Sequence, residues 1–263
     1  MYNFEYQKPG SVDEASRALA ADPEAKALAG GMTYIPVLKQ RLARPTTIVD
    51  LGKLGLVGIS ATGDAVTIQA MTTHGAVAES KDVRARIPGL ADLASWIGDD
   101  AVRHRGTIGG SLANNDPAAC YPSAALALNA TIKTNKREIK ADDFFQGMFT
   151  TALEQGEIIT GVTFPVPQKS AYEKFRNPAS RYPIVGVFVA KFPNEVRLAI
   201  TGAGQNGVFR HTEMEKALTA NFSPDAIAAI TTPADGLNSD IHASAEYRAH
   251  LIGVMARRAV AKA

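Results

Sequence analysis

Two glycine pairs flanked by hydroxyl side chains constrain this chain more than any other feature: Ala29-Gly30-Gly31-Met32-Thr33 and Thr107-Ile108-Gly109-Gly110-Ser111. A residue without Cβ adopts left-handed backbone and lets another group approach the main chain, so each pair reads as a turn dense in amides. The first pair follows the strand-like Lys26 to Ala29 and precedes Tyr34 to Leu42, where Ile35, Leu38 and Leu42 fall on one helix face. The unit is strand, glycine turn, helix, and the free amides and dipole at such a helix start favour an anion. Neither loop contains Lys or Arg, so a diphosphate held here would rest on amides and on Thr33, Thr107 and Ser111 rather than on charge pairs. A plain turn accounts equally well for either pair taken alone.

The rest of the pattern is mixed helix and strand. Ser11-Val12-Asp13-Glu14 reads as a capping box for a helix to about Ala21. Thr47 to Leu51 and Ala65 to Met71 are strand-like, a helix starts near Thr73, and Ile87 to Ile97 places Leu90, Leu93, Ala94 and Ile97 on one side. Pro165 to Ser170 carries two prolines and is the expected linker, since proline forbids helix and interrupts strand pairing. Beyond it, Ile184 to Phe192 and Val196 to Thr201 are β-rich and separated only by Pro193-Asn194-Glu195, as in a hairpin. Thr212-Glu213-Met214-Glu215 is a second capping box, Ser223-Pro224 another helix start, and Ser244 opens a last helix with Ala245, Ala249, Ile252, Met255 and Ala259 at helical spacing.

Composition and motifs exclude several functions. With 28 basic and 26 acidic residues the net charge is +2, which argues against a binder that relies on a strongly basic domain for nucleic acid. No apolar run reaches the roughly 20 residues that span a bilayer, and the N-terminal stretch lacks the apolar core of a signal peptide, so a cytoplasmic protein is expected. Cys120 stands alone, with no His or Lys beside it in sequence, and reads as a small buried side chain. One cysteine cannot form an internal disulfide, a zinc-cysteine site or an iron–sulfur cluster; any redox role needs a borrowed cofactor. The five histidines lack ligand spacing, and no G-x-S-x-G elbow or P-loop lysine occurs. Gly202-Ala203-Gly204-Gln205-Asn206-Gly207 matches G-x-G-x-x-G and would make an NAD site. Its context fails, because the next helix starts only near Thr212 and the stretch at Asp225 opens a helix instead of ending a strand. Leu112 to Pro122, with Asn114, Asn115 and Asp116, is polar between apolar segments and suits a polyol, or simply a turn.

Read together, the two loops resemble the FAD-binding medium subunit of the molybdenum hydroxylases, the group that includes aerobic carbon monoxide dehydrogenase and xanthine dehydrogenase. The resemblance extends from Phe4-Glu5-Tyr6-Gln7-Lys8-Pro9 through Leu28 to Pro36, Arg103 to Gly110 and Asn114-Asn115-Asp116-Pro117 to Gly253-Val254-Met255-Ala256-Arg257-Arg258-Ala259-Val260. It implies an α+β fold: a PCMH-type FAD-binding domain over residues 1–167, with lobes of about 1–55 and 56–167, then a small antiparallel sheet with helices over 168–263. It also implies noncovalent FAD, with Ala29, Gly30, Gly31, Met32 and Thr33 around the diphosphate and Thr107, Ile108, Gly109, Gly110 and Ser111 around the diphosphate and ribityl region. Asn115 and Asp116 would serve the polyol, and Ile97 and Tyr182 would lie near the ring. Members of the group often carry an acid where this chain has Cys120, so Asn115 or Asp116 would supply that acceptor. Molybdopterin and 2Fe-2S clusters would reside on a large and a small partner subunit, and flavin would pass electrons to an external acceptor. Two alternatives remain: an NAD-binding protein that uses Gly202 to Gly207, and a noncatalytic scaffold subunit with a decayed flavin site.

Overall fold

The computed structural model describes residues 1–263 in full. β1 (Glu5–Gln7), α1 (Val12–Ala21), β2 (Lys26–Leu28), α2 (Tyr34–Lys39) and β3 (Thr47–Asp50) come first, with β3 between β1 and β2 and both pairings parallel. Parallel neighbours require a crossover, and α1 supplies one. Ser11 Oγ accepts from Glu14 N at 3.2 Å, while the Glu14 carboxylate accepts from Gly10 N at 2.9 Å, one residue earlier than a capping box demands. α1 lays Ala15 and Leu19 on Val49 and Leu51 in a small core that Ile158 completes. α2 stops short of the predicted Leu42. Leu42 N turns back to Val37 O around a left-handed Arg41 (φ 59°), a Schellman-type closure that leaves the Leu42 side chain in solvent.

The second sheet is antiparallel, in the order β4 (Ile59–Thr62), β5 (Ala65–Gln69), β10 (Ile159–Pro165), β6 (Thr131–Thr134), β7 (Glu138–Lys140). Between β5 and β6 run α3 (His74–Glu79), α4 (Lys81–Arg86), α5 (Pro88–Ser95), α6 (Asp100–Arg105), α7 (Ile108–Asn114) and α8 (Tyr121–Ala127). A one-turn α9 (Ala141–Phe144) and the hairpin β8 (Phe145–Gly147) and β9 (Thr150–Thr151) follow β7. α5 buries Leu90, Leu93 and Ala94 as its periodicity predicts, but it ends at Ser95, so Ile97 lies in the turn beyond it.

Pro165 closes β10 while still in register with Ala65, and only Val166 to Gln168 separates it from β11 (Lys169–Arg176). The proline sits at the end of its strand, where a missing N–H costs the ladder least. β12 (Pro183–Lys191), β13 (Val196–Thr201) and β14 (Phe209–Arg210) complete a second antiparallel sheet, and the predicted hairpin is present with Gly186 opposite Thr201. α10 (Thr212–Ala220) is capped differently from the prediction. His211 Nδ1 accepts from Met214 N, while the buried Glu215 accepts from Leu198 N at 2.8 Å and pairs with Arg210. A buried carboxylate is better stabilised by a guanidinium and a strand amide than at a helix end. Ser223 caps a 3₁₀ turn, Pro224–Ile227, rather than an α-helix, and α11 (Ala245–Lys262) starts at Ser244 as expected. No helix is long and apolar enough to cross a membrane.

The α+β architecture is held together by β12 and its neighbours. Alternate strand residues point to opposite faces. Tyr172, Phe188, Ala190 and Ala199 join the 32-residue core of the second sheet and its helices, whereas Val187, Val189, Leu198 and Ile200 join a 20-residue core beneath α10 and α11. Burial on both faces explains why these strands read as near-continuous apolar runs. Phe188 is fully buried on the shared side, so Phe188→Ala should cost about 3–5 kcal/mol in urea unfolding. A loss below about 1 kcal/mol would show that the shared wall is not tightly packed.

Candidate functional site

A cavity of about 580 Å³ opens where the three sheets meet, lined by Leu28 from the first, Ile159 from the second and Lys174 and Pro183 from the third. That volume lies within the range of about 300–1,000 Å³ usual for ligand pockets. The two glycine loops, far apart in sequence, form one of its walls. A Cβ on Gly30 would fall 1.9 Å from Arg105 O and 2.9 Å from Gly106 Cα, so the first loop touches the backbone that leads into the second. A Cβ on Gly110 would lie 3.3 Å from Ala29 Cβ. Here glycine is demanded by loop against loop. Gly31, with φ +76°, meets the expectation of a left-handed turn.

The backbone amides divide unequally between the loops. In the second, Ile108 N donates to Thr72 O, Gly109 N to Ala70 O, Gly110 N to Thr107 Oγ1 and Ser111 N to Thr107 O. This is no open turn but the capped first turn of α7, and its donors are used internally. In the first loop, Gly30, Gly31, Met32, Thr33 and Tyr34 make no main-chain N–H bond within the protein. Thr33 makes no side-chain cap either. Five successive donors at a cavity wall form a ready cradle in which phosphate oxygens can accept. The residues present therefore fit a diphosphate-bearing cofactor through the first loop, with the second acting as its support.

The cavity gathers Ala29, Gly30, Gly31, Met32, Thr33, Ile97, Thr107, Gly109, Gly110, Ser111, Asp116 and Tyr182. Ile108 and Asn115 are not among its lining. Ile108 is fully buried in the core, as the inward residue of the first turn of α7. Asn115 ends α7 in the left-handed region (φ 42°) and turns its amide to Gly147 O and Thr150 O at 2.7 and 2.8 Å, which ties down the β8–β9 hairpin. Its neighbour Asn114 faces the cavity instead. The sequence offered two adjacent asparagines without a signal to choose between them; only the helix phase decides.

Three ionisable groups at the wall were not singled out by the sequence. His74 is buried, its Nδ1 has no partner, and burial with the Arg103 charge nearby pushes it down to about 4, so it is neutral at physiological pH. Glu157 is buried, which alone would raise its carboxyl, but hydrogen bonds from Arg137, Glu154 N and Thr134 take it down to about 2. Lys174 brings its ammonium to 3.6 Å from Cys120 Sγ. The sequence showed no cation beside Cys120 because Lys174 arrives from β11, 54 residues further along the chain. Burial pushes the Lys174 amine down, while the Cys120 sulfur works the other way. No cluster of metal-ligating side chains is present.

The G-x-G-x-x-G segment plays no part in a dinucleotide fold. It follows β13, which lies in an antiparallel sheet, and β14 intervenes before α10. Gly202 is consumed in packing: its N–H donates to Pro117 O at 2.8 Å and its carbonyl accepts from Arg248 at 2.9 Å.

Comparison with known proteins agrees with this architecture. The family profile described as the FAD binding domain in molybdopterin dehydrogenase matches residues 2–167. The chain is 36% identical to the nicotine 6-hydroxylase medium subunit of Paenarthrobacter nicotinovorans over 98% of its own length and 96% of the relative's. It is likewise 36% identical to the carbon monoxide dehydrogenase medium chain of Afipia carboxidovorans, covering 99% and 96% of the two chains. A solved structure described as reconstituted CO dehydrogenase from Oligotropha carboxidovorans superposes with a TM-score of 0.90 at 34% identity, covering 100% of this chain and 98% of that one. The class is thus an FAD-binding oxidoreductase component with the PCMH-type fold. The chain belongs to the family of FAD-binding medium subunits of the molybdenum hydroxylases.

Because the folded protein holds His74 at about 4 against about 6.5 in the unfolded chain, the unfolded state binds the extra proton first as pH falls. Stability should drop below pH 6.5 by up to about 1.4 kcal/mol per pH unit until near pH 4. His74→Gln should remove that slope in urea titrations followed by Trp96 fluorescence. A wild-type profile that is flat over this window would refute the assignment.

Proposed function

We propose that this chain binds FAD noncovalently and serves as the electron-transfer subunit of a molybdenum hydroxylase, taking electrons from a 2Fe-2S small subunit and passing them to an external acceptor. A molybdopterin large subunit would oxidise the substrate elsewhere in the complex, and the cytoplasm suits a chain with one cysteine and no disulfide. The observation that carries this reading is the run of five unpaired amides from Gly30 to Tyr34, set against the capped start of α7 in one cavity.

In this reading residues 1–167 form the FAD-binding unit, with lobes of about 1–55 and 56–167, and residues 168–263 form the C-terminal unit. The family profile, which ends at residue 167, supports the division. The Gly30–Thr33 amides, with the unbonded hydroxyls of Thr33 and Ser111, receive the diphosphate; Ala29 and Gly110 bring the two loops into contact, while Thr107 and Gly109 fix the start of α7. Asn114 and Asp116 face the polyol, and Ile97 and Tyr182 border the ring. FAD supplies the redox chemistry when bound, exchanging electrons singly or in pairs. The protein's own work is to bind, orient and surround it, which requires no nucleophile or general base.

Purified protein should carry a yellow chromophore with the two-banded flavin spectrum, released by denaturation without a covalent adduct. Colourless protein that takes up no added FAD would overturn the reading and favour a scaffold with a decayed site. Gly110→Val should weaken FAD binding at least tenfold. The valine Cβ alone would stand 3.0 Å from Thr107 Oγ1 and 3.3 Å from Ala29 Cβ, and its two methyl groups crowd the contact further and so separate the loops. Unchanged flavin content in a folded Gly110→Val protein would remove the loop assignment.

A further inference from the structure

Lys174 lies on β11 and is 6% exposed. An ammonium has three donors, and all are used: Trp96 O at 2.6 Å, Arg181 O at 2.9 Å and Cys120 Sγ at 3.6 Å. The three acceptors belong to the turn after α5, the β11–β12 connection and the residue preceding α8, segments that place Ile97, Tyr182 and Cys120 on the cavity wall. None is a carboxylate. Arg176 and Arg103, both cations, also bear on Lys174 and oppose its charge. Arg103 itself donates to Ile97 O and Gly98 O at 3.0 and 3.1 Å, and Arg181 to Gly98 O at 3.2 Å. Three successive carbonyls, Trp96 to Gly98, are thus held by three cations. Of these Lys174 is the buried one, whose field salt and water screen least.

An uncancelled buried cation is costly unless negative charge faces it. We propose that Lys174 is a positioning residue that sets the charge of this wall, so that the cavity binds the reduced form of flavin in preference to the oxidised form. The inference rests on the FAD reading above. Reduction by an electron pair accompanied by a single proton leaves the ring with one more negative charge, and a fixed cation beside Ile97 and Tyr182 favours that form. Cys120 matters because a carboxylate in its place would cancel the field at the same distance.

The test uses FAD-loaded protein equilibrated anaerobically with a reference dye, with dithionite as the source of electrons. Lys174→Met should lower the preference for reduced over oxidised FAD roughly tenfold, equivalent to about 30 mV for a two-electron couple. Cys120→Asp, which keeps the lysine and adds the missing carboxylate, should shift the preference in the same direction, whereas Lys174→Arg should retain it. A preference unchanged within about threefold in both flavin-loaded variants would overturn the proposal. So would loss of FAD from both while the wild type retains it, since the charge would then serve binding and not the couple. A wild type that takes up no FAD would instead sink the functional reading itself.

Discussion

The contact on which the site depends is backbone against backbone: the first glycine loop lies on the Arg105–Gly106 main chain so closely that no side chain fits between them. Because that contact is made through Gly30, the amides from Gly30 to Tyr34 are left without partners on a rigid support. Peptide groups held this way are pre-oriented dipoles that need little reorganisation when an anion arrives. The second loop contributes rigidity. Its donors are bound to Thr72 O, Ala70 O and Thr107, so α7 is fixed to the end of β5 before any ligand is present.

This division of labour was only half legible in the sequence. Two glycine pairs beside hydroxyls announce a main-chain cradle, and their separation carries the family resemblance. Which pair keeps its amides free depends on Ala70 and Thr72, just after β5, offering carbonyls to Gly109 and Ile108, a long-range fact that no local pattern encodes. The same holds for Lys174. In sequence it is one lysine among mixed polar and apolar residues just after the proline-rich connection, and it becomes a node only when two other segments are folded onto it. Asn114 and Asn115 show a smaller version of the limit, since a helix of seven residues leaves the phase at its end undetermined until its cap is known.

Secondary structure follows local sequence wherever local chemistry dominates. Ser11 and Ser244 cap the helices they were expected to cap, and the hairpin around Pro193 to Glu195 closes as its turn residues imply. Departures occur where tertiary partners compete. Glu215 leaves a capping role for Arg210 and a strand amide, and α2 ends at Lys39 because a Schellman-type closure ends it before Leu42 can reach the core.

The two-faced sheet of β11, β12 and β13 has a consequence for how such a subunit can be reused. The family profile ends at residue 167, yet Tyr172, Phe188, Ala190 and Ala199 from beyond that point fill the core on which α5 and α8 rest. Lys174, from the same strand as Tyr172, braces the cavity rim. The N-terminal module is therefore not a detachable cassette. Any rearrangement of genes that transplanted it without its tail would leave the interior of the donor open to water, which gives a physical reason for the two parts to travel together.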